Sequence, residues 1–223
     1  AAGNTQAFSV SSYELNEDLF RFRVSLTGTQ AQDAKIVGGV SVTESTQTAK
    51  ELTWPSGSLP MAPAAGTDKE VYEVSFTVRT PERDVFFRYK ITYQKLPDVQ
   101  LSFTWRGTGN HKGTLLCLPN GSVADKIKNN QLGGGRISYE MKLVGSDAES
   151  AGARIVSASY TSDGASGSSQ LEPIDQGFLD MKMPAGETSN TYRISVTALA
   201  NGHRAHFEVI LHYGNDVTLE MRY

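Results

Sequence analysis

Residues Gly177–Thr197 read GFLDMKMPAGETSNTYRISVT, and they echo Gly57–Thr77, GSLPMAPAAGTDKEVYEVSFT. At a shift of 120 positions, Gly57, Leu59 and Met61 fall on Gly177, Leu179 and Met181. Ala65-Gly66 falls on Ala185-Gly186, Tyr72 on Tyr192, Ser75 on Ser195 and Thr77 on Thr197. Working outward, Phe87 falls on Phe207 and Tyr93 on Tyr213. After a two-residue slip, DVQLSFTW (Asp98–Trp105) falls on DVTLEMRY (Asp216–Tyr223). Upstream, LTG at Leu26 matches LVG at Leu143, and KIV at Lys35 matches RIV at Arg154. The shift stays between 117 and 120. Its slips fall between blocks, where loops gain and lose residues. The chain is a tandem duplication of one fold.

Within each copy the apolar residues alternate. FRFRVSL sets Phe20, Phe22, Val24 and Leu26 against Arg21, Arg23 and Ser25. Its partner ISYEMKL sets Ile137, Tyr139, Met141 and Leu143 against Ser138, Glu140 and Lys142. YEVSFTVR and FRYKITYQ, from Tyr72 and Phe87, follow the same rule, as do DVQLSFTWR and DVTLEMRY. A period of two marks strands with one face in a core and the other in water, and the β-branched and aromatic residues agree. Six or seven such strands per copy, separated by turn signals, predict an all-β protein. It is read as two tandem immunoglobulin- or fibronectin-III-like antiparallel β-sandwiches. The first strands are expected at AFSV near Phe8 and TLLCL near Thr114.

The seam is placed at RGTGNHKG, giving domains 1–107 and 112–223. So short a link suggests two sandwiches set end to end with limited hinging. The second domain is a duplicate of the first with an insert near residues 119–136. In that insert Ser122 and Asp125 resemble a capping box, and a short helix or a loop is expected.

Composition narrows the function. The 223 residues carry 21 Lys+Arg against 24 Asp+Glu, a net charge of −3. The halves are alike, with 11 basic and 12 acidic groups in residues 1–106 and 10 and 12 in the remainder. Neither half has the positive field that nucleic acid or anionic lipid demands, so no nucleic-acid partner is expected. No apolar run approaches the ~20 residues of a transmembrane helix. The single cysteine, Cys117, forbids an internal disulfide and reads as a small buried residue. AAGNTQ reads either as an engineered start or as a mature N-terminus left after a leader was removed, which leaves export open.

No catalytic constellation is framed. His203, His206, Glu208 and His212 suggest a metal site, because the last three share strand parity. The first copy has Phe86, Arg88 and Lys90 on the corresponding face, and same-face neighbours stand ~7 Å apart along a strand. A solvated polar face is the better reading. The GASGSS run lacks a nucleophile-elbow pattern, and GGGR lacks the Lys-Ser/Thr of a phosphate loop. Asp147, Glu149 and Asp163 fit no known calcium loop. Asn120-Gly121-Ser122 matches the short glycosylation sequon. No cofactor, metal or catalytic residue is assigned. Trp54, next to a turn, and Trp105, beside the seam, are the two candidate ligand or partner contacts. Core packing competes with that role at both, since Trp54 matches Ile174 and Trp105 matches Tyr223.

The tail TYRISVTALANGHRAHFEVILHYGNDVTLEMRY resembles the TraQ family of conjugative-transposon proteins. Thr191-Tyr192-Arg193, Val196-Thr197, Phe207-Glu208-Val209 and Thr218-Leu219 stand at the family's pattern positions. The acidic segment of the family pattern is replaced by His212-Tyr213-Gly214-Asn215, and the family has one domain where this chain has two. The resemblance implies an exported protein of the periplasm or outer membrane, lipid-anchored before residue 1, with an immunoglobulin-like fold and no catalytic residue. The reading that follows is a non-enzymatic envelope module of tandem domains that binds a protein partner, in conjugative transfer or a similar assembly. The alternative is a carbohydrate-binding or adhesin-type surface module, with glycan as ligand. An enzyme with its site at the seam ranks last, because no acid pair or histidine pair is framed.

Overall fold

The alternating stretches become ladders in a computed structural model that describes residues 5–29 and 31–215. The first seven strands are β1 (Thr5–Ser11), β2 (Leu19–Arg23), β3 (Lys35–Thr43), β4 (Thr48–Glu51), β5 (Ser56–Pro60), β6 (Lys69–Arg79) and β7 (Asp84–Gln94). They build one sheet in the order β1-β7-β6-β3-β4 and a second that, among the described residues, pairs β2 with β5. Leu59 of β5 and Tyr72, Val74, Phe76, Ile91 and Tyr93 of β6 and β7 form the core between them, with Phe20, Phe22 and Val24 partly buried against it. Inward residues of β6 are buried and outward ones are not, as the period-two pattern requires.

The second copy has β10 (Gly121–Lys128), β11 (Arg136–Val144), β12 (Arg154–Ser162), β13 (Ser169–Gln170), β14 (Gln176–Asp180), β15 (Ser189–Ala200) and β16 (His203–Gly214). Its large sheet runs β10-β16-β15-β12-β13, the same order of counterparts as in the first copy. In both copies the leading strand pairs parallel with the last: Phe8 lies opposite Ile91, and Val123 opposite Val209. All other ladders are antiparallel. The Tyr72 hydroxyl accepts from Ala62 N (2.8 Å) and donates to Ala62 O (3.1 Å), and Tyr192 does the same with Lys182 (2.6 and 3.1 Å). Each tyrosine hydroxyl thus ties its strand to backbone ten residues upstream, the corner that immunoglobulin-like sandwiches share.

The small sheets differ, and the difference corrects the domain boundary. Two further strands, β8 (Gln100–Arg106) and β9 (Lys112–Cys117), join the second copy in the order β14-β11-β8-β9. Tyr139, Met141 and Leu143 of β11 lie opposite Trp105, Phe103 and Leu101 of β8. The compact units are therefore Ala1–Leu96 and Pro97–Tyr223, and the seam is not at 107–112. RGTGNHKG is the turn of the β8–β9 hairpin. The physical reason is that Val99, Leu101, Phe103 and Trp105 bury their side chains in the second core, each 3% exposed or less. Residues 119–136 are likewise no insert. Gly121–Lys128 is the counterpart of β1, and only a 3-10 turn at Asn129–Gln131 follows it. Alternation along SVADKIK prevails over the capping-box signal, since Ile127 is buried on the β16 side. The duplicate of DVQLSFTW, Asp216–Tyr223, lies outside the described residues.

Gly57 and Gly177 stand on β5 and β14 facing an aromatic ring. A Cβ at Gly57 would lie 2.6 Å from Phe22 Cζ, and one at Gly177 2.8 Å from the Tyr139 hydroxyl. Gly66 and Gly186, with φ of +78° and +85°, are the turn glycines of the repeat.

Candidate functional site

An apolar cleft of about 290 Å³ opens in the first unit beside the edge of β2. Phe8 of β1, Phe20 and Phe22 of β2, Val24, Phe76 of β6 and Tyr89 of β7 line it. The cleft exists because β2 has a single neighbour, β5, among the described residues. In the second unit the counterpart β11 has β14 on one side and β8 on the other. The consequences for burial are direct. Ile137, Tyr139 and Met141 are all but fully buried, whereas Phe20, Phe22 and Val24 are only half-buried and Phe8 is 40% exposed.

Backbone tells the same story. Val24–Leu26 continue the alternation of FRFRVSL, yet β2 ends at Arg23 and these residues stand outside any ladder. Their counterparts Met141–Leu143 are strand, and β8 is what pairs with them. Val24 N donates to Pro55 O (2.7 Å), as Met141 N does to Asp175 O (2.6 Å), so the chain path is kept while the outer partner differs. A row of backbone donors and acceptors beside a lipophilic trough is the chemistry that takes up an extended strand.

The two tryptophans separate. Trp105 is 3% exposed, and its indole N–H donates to Asp125 Oδ2 (2.8 Å). Gly113 makes this contact possible, because a Cβ there would come within 2.4 Å of Trp105 Nε1. Trp105 is thus a core residue of the second unit and offers no ligand a face. The expected contact role for Trp105 is therefore not met, because β8 lies within the second unit and not at a seam. Trp54 is 40% exposed, beside a cis Trp54-Pro55 bond, and remains open to solvent.

The histidines lie as their parity requires. Ala205, Phe207, Val209 and Leu211 face inward, while His206 and His212 are exposed, each with Nδ1 on a neighbouring threonine: Thr197 Oγ1 (3.2 Å) and Thr191 Oγ1 (3.4 Å). Among the described residues no group of three His, Cys, Asp or Glu could hold a metal ion. No helix among them is long and apolar enough to cross a membrane.

A carboxylate, Glu70, is buried near the start of β6, and an amide, Asn190, takes its place on β15. Burial raises the pKa of Glu70, but donors from the Ser45 hydroxyl, Val71 N (2.8 Å) and Ser45 N (3.2 Å) prevail and hold it below the ordinary glutamate value. Its counterpart Asn190 donates through Nδ2 to Lys182 O (2.7 Å), and its Oδ1 is buried without a partner, beside the Ser-rich loop. Burial likewise pushes the Cys117 thiol up, with Sγ near the carbonyl oxygens of Gly121 (3.3 Å) and Glu208 (3.6 Å).

No family model matches the chain, and no curated protein matches it. Among solved structures it is similar to the fibronectin(III)-like modules of Clostridium thermocellum CbhA, at 10% identity over 98% of this chain and 95% of that one, with a TM-score of 0.32. It is similar to the N-terminal four Ig domains of Dscam1 isoform 1.9, at 8% identity over 94% and 72%, TM-score 0.27. A chimeric titin Z1Z2-Z1Z2 tandem is similar at 14% identity over 93% and 95%, TM-score 0.26. The immunoglobulin- and fibronectin-III-like assignment rests on the ladders described above.

Proposed function

We infer that this chain is a non-catalytic interaction module of the cell envelope, whose first unit binds protein by adding a partner's strand to the edge of β2. The observation that carries this reading is the apolar cleft beside that edge, in the place where the second unit holds β8. Strand addition draws affinity from main-chain hydrogen bonds and specificity from pockets for alternate side chains, and the cleft offers both. Export to the periplasm or outer membrane, a lipid anchor and a part in conjugative transfer rest on the resemblance of Thr191–Tyr223 to the TraQ family.

A photo-crosslinking residue at Ser25, which lines the cleft, tests the reading in the envelope of the source cell. The expected product is a crosslink to an extended segment of a protein, mapped by mass spectrometry. Crosslinks to glycan or lipid alone, or none, reject it. Unchanged transfer frequency after deletion of the gene removes the conjugation part.

The exposure of Trp54 favours a second reading, glycan binding at that ring. Because Trp105 is buried, a shift in intrinsic fluorescence on adding polysaccharide reports Trp54, and a flat response across a panel of polysaccharides rejects this reading.

A further inference from the structure

We propose that the occupant of the cleft is the segment Asp216–Tyr223 of a second copy of this chain, so that copies join head to tail by strand donation. The proposal rests on the strand-addition reading above and names its partner.

The duplication supplies the template. In the second unit, Asp98–Trp105 lies antiparallel to β11 and buries Val99, Leu101, Phe103 and Trp105. Asp216–Tyr223 repeats that segment, with Val217, Leu219, Met221 and Tyr223 at the four buried positions. The acceptor repeats too: Phe22 faces Gly57 as Tyr139 faces Gly177. Carrying the observed register across sets Tyr223 opposite Phe22, Met221 opposite Val24 and Leu219 opposite Leu26. A one-residue slip would turn every apolar side chain out to water, so the register is strongly specified.

The far end of the seat is already shaped. In the second unit, Gly145 has φ +124°, and a Cβ there would lie 2.4 Å from Asp98 O. The Ser146 N–H and hydroxyl donate to Asp98 Oδ2 (3.2 and 2.9 Å). In the first unit, Gly28 keeps the same turn with φ +115°, and nothing stands within 4 Å of its Cβ position. Thr29 follows, with a hydroxyl where Ser146 has one. The glycine and the hydroxyl that receive Asp98 are therefore both present, and the space is open for Asp216. One juxtaposition is unfavourable, Arg222 opposite Arg23, and Glu220 lies diagonal to that arginine to offset it.

Each copy would then give one strand and receive one through two different surfaces, a heterologous contact that propagates rather than closes. The chain of residues 1–223, a chain ending at Asn215 and a synthetic Asp216–Tyr223 peptide make the test. Sedimentation velocity over a concentration series reads assembly. Amide hydrogen exchange at Ser25, whose N–H points away from the β5 side that Val24 N already bonds, reads occupancy of the edge. The expected result is concentration-dependent oligomers of residues 1–223, a monomer when the chain ends at Asn215, and slowing of exchange at Ser25 by at least about tenfold when peptide is added. The L219D/M221D chain and peptide should do neither.

A monomer with the Ser25 amide protected, its edge filled by another segment of the same chain, overturns the proposal. So do oligomers that persist after truncation, and a peptide that leaves exchange unchanged. If the peptide fails while the Ser25 crosslink still lands on another protein's extended segment, the tail is rejected and the strand-addition reading stands. If both fail, both fall.

Discussion

Two residues of one type show how a neighbour decides a side chain's role. Trp105 is enclosed by the second core and bonded to Asp125, whereas Trp54 is 40% exposed. Trp105→Ala should cost about 3–5 kcal/mol in urea unfolding, and Trp54→Ala less than about 1 kcal/mol. Equal effects would contradict these placements. Glu70 makes a pH prediction. Its carboxyl is held below the ordinary glutamate value of 4.5 in the folded chain, so it binds its proton more readily once unfolded. The stabilisation is therefore complete above about pH 4.5 and lost as pH falls through the lower folded value. Glu70→Gln should flatten the fall in stability below that pH, and Ser45→Ala, which raises the folded value toward the unfolded one, should make the fall smaller. An unchanged acid limb in both variants would show that the donors do not hold the charge. The glycine at 57 carries a lesson of this scale as well. Its recurrence in the repeat is plain, but it is explained by the ring of Phe22 across the sheet and the carbonyl of Thr53, each 2.6 Å from where a Cβ would stand.

Among the elements, alternation made the inward faces legible, down to the buried positions of β6, β11, β15 and β16. What a linear sequence cannot carry is which neighbour a strand pairs with. DVQLSFTW follows the first copy, and DVTLEMRY follows the second, so the repeat alone assigns each to the copy before it. Pairing assigns the first of them to the copy after it, because its four apolar residues fill the core beside β11. The cleft was unread for the same reason. Phe20, Phe22 and Val24 look like core from their spacing, and they are half-covered because β2 has one neighbour among the described residues. The phase of the repeat held the signal: a strand that precedes the second copy has its duplicate at the tail of the chain. A fragment of residues 97–223 should fold with a cooperative transition. One of residues 108–223, lacking β8, should bind 8-anilinonaphthalene-1-sulfonate and lose its near-ultraviolet signal. Equal cooperativity in the two fragments would mean that β8 is dispensable to its sheet.

For the molecule as a whole, the duplicated sandwich was legible, and so was the balanced charge that gives neither half a nucleic-acid-binding field. The boundary was not, and it matters for function. A seam after Trp105 leaves two equivalent domains and no site. Among the described residues, a seam after Leu96 leaves one unit with its small sheet extended to four strands and one with two, and the difference between them is the cleft.

Cys117, the only thiol, is 0% exposed on β9 beside the strand that fills the second core. Its burial makes it a chemical clock for that unit alone. An aromatic disulfide reagent can reach the sulfur only when β9 lifts from β8, so labelling at neutral pH should follow the opening rate and be independent of reagent at high concentration. Labelling as fast as in a free thiol would show that the hairpin frays on its own. A cysteine in place of half-buried Val24, whose counterpart Met141 is buried beside β8, would react far sooner in the same tube, so one reagent would read the vacancy of the first unit and the closure of the second on separate timescales.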